Sequence, residues 1–96
     1  MKVTVKRSGG YAGISDSFNV DTEKIDGAAR QQIEQMVQSI GFFSFPADAA
    51  GVGADLMRYE ITVDDGHRQH TLAFSDDGSP QTEPLKRLVE KLSEAA

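Results

Sequence analysis

The segment Met57-Arg58-Tyr59-Glu60-Ile61-Thr62-Val63-Asp64-Asp65-Gly66-His67-Arg68-Gln69-His70-Thr71-Leu72-Ala73-Phe74 reads as two strands joined by a turn. Met57, Tyr59, Ile61 and Val63 alternate with Leu56, Arg58, Glu60 and Thr62, and His70, Leu72 and Phe74 alternate with Gln69, Thr71 and Ala73. Successive side chains on a strand point to opposite faces, so each run carries one apolar face. Asp64-Asp65-Gly66 between them signals a tight hairpin. A sheet with a single apolar face must be covered on that face, and the rest of the chain has to supply the cover.

Upstream, Val3 and Val5 alternate with Lys2, Thr4 and Lys6, which predicts a first strand ending near Arg7, whose register falls on the apolar side. Gly9-Gly10-Tyr11-Ala12-Gly13 is a turn. A second strand follows, with Ile14, Phe18 and Val20 on one face, Ser15, Ser17 and Asn19 on the other, and Asp16 a misfit on the apolar side. Between Asp21 and Ile40 the apolar residues Ile25, Ala29, Ile33, Met36, Val37 and Ile40 form one helical stripe. Asp21 or Thr22 is the candidate cap, Gly27 argues for a start at Asp26, and Gly41 supplies the left-handed stop. Phe42, Phe43 and Phe45 ahead of Pro46 read as a hydrophobic plug, and 47–54 as a loop. After a turn-rich stretch from Asp76 to Thr82, a last helix begins near Pro84 and places Leu85, Leu88, Val89 and Leu92 on one stripe.

The order β-β-α-β-β-α predicts an α+β two-layer sandwich: a four-stranded antiparallel sheet with two helices on one face and the opposite face wet. Ninety-six residues make one domain spanning 1–96. The chain has no Cys, which removes disulfides, thiolate chemistry and Cys-type zinc sites.

Charge narrows the partners. Lys plus Arg number 10 against 15 Asp plus Glu, a net charge of -5, and the whole acidic excess lies after residue 47. Such a balance repels a phosphate backbone, so nucleic acid is not an expected partner. No apolar run approaches the roughly 20 residues of a spanning helix, and Met1 to Arg7 returns to charge too early for a secretory core. A soluble, cytoplasmic monomer is the expectation, with no membrane partner.

Motifs for catalysis and cofactors fail one by one. His67 and His70, three apart, point to opposite faces of a strand and cannot chelate one metal. Gly51-Val52-Gly53 lacks the third glycine of a dinucleotide fingerprint, no P-loop triplet is present, and Asp64-Asp65-Gly66 lacks the spaced oxygens of a calcium loop. No serine lies in a nucleophile elbow. The expectation is a non-enzyme without cofactor or metal. If the first strand runs up, Ser8 to Gly13, Phe42 to Asp55 and Asp76 to Glu83 gather at one pole, and long loops at one end are where binding residues concentrate.

Val3-Thr4-Val5-Lys6-Arg7-Ser8-Gly9-Gly10-Tyr11-Ala12-Gly13-Ile14-Ser15, with Gly41-Phe42-Phe43, Pro46, Arg58-Tyr59-Glu60-Ile61-Thr62-Val63, Gly66 and His70-Thr71, resembles the emfourin family. The resemblance spans nearly the whole chain and is most specific at Arg7-Ser8-Gly9-Gly10-Tyr11-Ala12-Gly13. It implies a small bacterial protein inhibitor of thermolysin-like zinc metallopeptidases. On that reading the peptidase cleft would be met by loops at one end of the domain: Ser8, Gly9, Gly10, Tyr11, Ala12, Gly13 and Ile14 first, then Val52 and Leu56. Tyr11, Val52 and Leu56 are the apolar anchors, and Asp16, Asp48, Asp55 and Asp76 are carboxylates available to the partner's zinc. The alternative is a regulatory or interaction module that uses the exposed sheet face, with Lys6, Arg58 and Gln69 as the sensitive positions.

Overall fold

Four strands form one antiparallel sheet in the order β2-β1-β3-β4, where β1 is Lys2–Gly9, β2 Ile14–Asp21, β3 Met57–Asp64 and β4 Gln69–Ser75. The structure is a computed structural model that describes residues 1–9, 14–44, 57–76, 80 and 82–96, with the main chain alone at Ile14. Two helices, α1 (Gly27–Ile40) and α2 (Glu83–Ala95), complete the α+β architecture.

Register explains why the alternation works. Val3 stands opposite Val20 and Val63, Val5 opposite Phe18 and Ile61, and Arg7 opposite Asp16 and Tyr59. Across β3 and β4, Val63 meets His70, Ile61 meets Leu72 and Tyr59 meets Phe74. Each row thus runs through four strands on one face. Val5, Ile61, Leu72 and Phe74 are fully buried, and the helices close over them with Ile33, Val37, Leu85, Leu88 and Leu92. Burying each such side chain contributes roughly 1.5–3 kcal/mol, which is how a chain with no disulfide holds together.

The opposite face is polar apart from Ala73 on β4. Thr4 donates to Asn19 Oδ1 at 2.8 Å, and the hydroxyls of Thr62 and Thr71 lie 2.8 Å apart, so cross-strand hydrogen bonds lace the solvent side.

Element boundaries differ from the sequence reading at three places. β1 runs past Arg7 to Gly9, because the Arg7 side chain is met across the strand by Asp16. Asp21 caps a 3-10 turn at Thr22–Lys24, its Oδ1 accepting from Glu23 N, so α1 starts independently with Asp26 at its N-cap. The β3–β4 connection is a four-residue loop, 65–68, in which Asp65 Oδ1 accepts from the amides of His67 and Arg68 and Gly66 takes φ 92°. His67 therefore sits in the loop, and His70 is half-buried with its ring edge-on to Phe42, 5.6 Å between centroids.

The expected stop of α1 is in place: Gly41 is left-handed at φ 69°, ψ 43°, and its amide bonds back to the carbonyls of Gln38 and Val37. Phe42 follows into the core at 1% exposure, while Phe43 is half-buried. Phe45 lies outside the described residues.

Candidate functional site

At one pole of the sheet, β1 ends at Gly9, β2 begins at Ile14, and Met57 of β3 stands opposite Gly9. The ladder extends one step beyond β4, with Asp76 N donating to Met57 O at 2.9 Å. Lys86 in the first turns of α2 reaches Asp76 at 3.3 Å and ties that helix to the same pole. Gly9 takes φ 98°, the left-handed backbone a turn out of β1 requires. Ser8, Gly9 and the start of β2 at Ile14 are therefore brought together.

Gly10, Tyr11, Ala12, Gly13, Val52 and Leu56 lie outside the described residues. Met57, the neighbour of Leu56, is placed at this pole by its pairing with Gly9. The segment after α1 is a correction. Gly41 does not return to the pole of Gly9: Phe42 packs on His70, and Arg68 lies 4.0 Å over the ring of Phe43. Both partners belong to the β3–β4 end, beside Met1. The physical reason is that α1 crosses the sheet from the β2 edge toward the β4 edge, so its end stays at the pole where it began. Ser44 consequently lies at one pole and Met57 at the other.

Two of the carboxylates considered for a partner's zinc are already engaged. Asp16 accepts from Arg7 Nε at 2.8 Å, and that hydrogen bond holds its carboxyl below the usual aspartate range. Asp76 faces Lys86, whose ammonium donates to its carboxylate and is held above the usual lysine range by that hydrogen bond. Asp48 and Asp55 lie outside the described residues. Among the described residues no cluster of three or more His, Asp or Glu is placed to hold a metal ion. Nor is any helix among them long and apolar enough to cross a membrane.

Immediately below the β1–β2 turn, the solvent face of the sheet sinks into a groove of about 400 Å³. Lys6, Ser8, Ser15, Ser17, Arg58 and Glu60 line it, with Arg7 and Asp16 completing the wall. The register explains the concavity: Ser8 stands between Ser15 and Arg58, and Lys6 between Ser17 and Glu60. Short hydroxyl side chains on β2 and β1 leave space that the long side chains of Lys6, Arg58 and Glu60 frame. Alternation places all six on the polar face, yet their convergence requires the strand order β2-β1-β3, which the alternating pattern does not state.

No curated protein and no solved structure matches the chain. A family model described as Emfourin matches residues 5–93, from the middle of β1 almost to the end of α2. That span takes in α1, nearly all of α2 and every buried apolar residue of the core but Val3 in a 96-residue sequence, and the chain belongs to the Emfourin family.

Proposed function

We propose that the protein inhibits a thermolysin-like zinc metallopeptidase, without catalysing a reaction itself, by occupying the peptidase cleft with the pole where β1 turns into β2. The observation that carries this reading is the family match over residues 5–93. The fold supports it physically. A segment lying in a protease cleft avoids being cut when it is held stiffly, and here Ser8 and Gly9 leave a strand paired on both sides, while Ile14 starts the next. A standard interface covers roughly 800 Å² per partner, within reach of one end of a domain this size. Gly10, Tyr11, Ala12 and Gly13 form the tip of the contact in this proposal, and Val52 and Leu56 add apolar anchors. The protein acts as a monomer in the cytoplasm, a compartment in keeping with a chain that has no cysteine.

Titration of the purified protein against a thermolysin-like peptidase, with cleavage of a reporter peptide as readout, tests the proposal. Loss of cleavage near an equimolar ratio is expected. Progressive digestion of the added protein with the peptidase still active would identify it as a substrate instead.

A further inference from the structure

We infer, resting on the inhibitor reading above, that Met57 is an apolar contact for the peptidase, its thioether side chain packing on apolar side chains at the rim of the peptidase cleft. Met57 stands in the last row of the sheet at this pole. Its partner in β1 is Gly9, which takes φ 98°, and on the other side its carbonyl accepts from Asp76 N at 2.9 Å. Gly9 has no side chain and Ile14, opposite it in β2, is described by its main chain alone, so Met57 is the apolar side chain that this row presents among the described residues. Alternation puts it on the same face as Tyr59, Ile61 and Val63. Those three belong to the core: Ile61 and Val63 are fully buried, and Tyr59 packs against the cluster, stacked on Phe74. Met57 is half-buried and, among the described residues, is not packed against that cluster.

Position brings Met57 into the proposed contact. Paired residues on antiparallel strands stand about 5 Å apart, and an interface of roughly 800 Å² per partner is about 30 Å across, so a peptidase seated on Gly9 covers Met57 as well. Chemistry agrees with position. An unbranched thioether adapts to an irregular apolar surface, and Met is enriched at protein interfaces where Lys and Glu are depleted. The main chain at Met57 is held by Gly9 on one side and by the Asp76 amide on the other, so the ordering cost of binding falls on the side chain alone. The two other methionines lie elsewhere: Met1 shares a pocket with Arg68 at the β3–β4 end, and Met36 lies on α1 in a groove beside Pro84.

Three methionines at three places make the test direct. The full chain, labelled with carbon-13 at its methionine methyl groups, is mixed with one equivalent of an unlabelled thermolysin-like peptidase whose inhibition is followed in the same sample with a reporter peptide. The Met57 methyl is expected to change its chemical shift while those of Met1 and Met36 keep theirs. In parallel, Met57→Ala is expected to raise the inhibition constant at least fivefold and Met36→Ala to leave it within twofold, with thermal unfolding as a check on folding. The methyl spectrum uses the parent protein, so it decides the matter even where a variant fails to fold. Inhibition with the Met57 methyl unmoved, or with the Met1 methyl moved in its place, overturns the assignment of Met57 and leaves the inhibitor reading standing. A Met57 methyl that moves with the protein's own concentration before peptidase is added assigns the side chain to a second copy of the chain and overturns it too. A parent protein that inhibits no such peptidase removes both.

Discussion

Arg7 and Asp16 stand directly opposite one another across β1 and β2, and Arg7 Nε donates to Asp16 Oδ1 at 2.8 Å while a second guanidinium nitrogen meets the other carboxylate oxygen. Each residue alone breaks the apolar alternation of its strand; together they close the row with a forked ion pair. The same row continues through Tyr59 to Phe74, whose rings stack 5.1 Å apart. Charge therefore sits at the β2 edge, and aromatic surface at the β4 side. Both ionic partners are well exposed, so the pair acts more on register and turn placement than on bulk stability.

The pair has a pH signature. Its hydrogen bond lowers the Asp16 carboxyl and raises the Arg7 guanidinium. For a carboxyl depressed in the folded state, the stabilisation is present above the ordinary aspartate value of about 3.9 and disappears as pH falls through the folded value. Carboxyl titration by NMR is expected to place Asp16 below that ordinary value in the parent and near it in Arg7→Ala. An Asp16 that titrates identically in both proteins contradicts the pairing.

Gly41 and Gly27 predict opposite signs for one substitution. Gly41 is left-handed at φ 69°, so Gly41→Ala is expected to cost about 1 kcal/mol despite the open space around it. Gly27 opens α1 with nothing within 4 Å of an added Cβ, and Gly27→Ala is expected to gain about 0.5 kcal/mol. Urea unfolding of the two variants checks the pair of signs.

Phe42 and Phe43 separate core from surface. Phe42 is 1% exposed against the edge of His70, and Phe42→Ala is expected to cost about 3–5 kcal/mol. Phe43 is half-buried beneath the Arg68 guanidinium, and Phe43→Ala is expected to cost about 1–2 kcal/mol. Chemical denaturation gives both numbers, and neither change is expected to weaken peptidase inhibition by a protein that remains folded, since this end faces away from Gly9.

Tyr11 and Leu56 are the anchors proposed for the contact. Tyr11→Ala with Leu56→Ala is expected to raise the inhibition constant at least thirtyfold, because losing a true anchor costs about 2 kcal/mol or more. A change within twofold of the parent points away from this pole.

How far the sequence was legible follows from which forces act locally. Alternation in β3 and β4 and the stripe of α2 are properties of neighbours along the chain, and the buried set Ile61, Val63, Leu72, Phe74, Leu85, Leu88 and Leu92 matches them. The misfits Arg7 and Asp16 were visible as single anomalies, and their pairing appears only once the register is known. The direction of α1 across the sheet was not legible: it is set by where Phe42 finds His70 and Phe43 finds Arg68, contacts between distant segments. The groove was missed for the same reason, since Lys6, Ser15 and Arg58 converge through strand order rather than spacing.

The most direct test of the contact is amide chemical-shift mapping of the labelled protein on adding one equivalent of a thermolysin-like peptidase. Perturbation centred on Ser8, Gly9, Ile14, Ser15 and Arg58, with Gly66, His67 and Arg68 unmoved, is the predicted result. Perturbation centred on Gly66 to Arg68 and Phe43 instead, or none at stoichiometric peptidase, would contradict it.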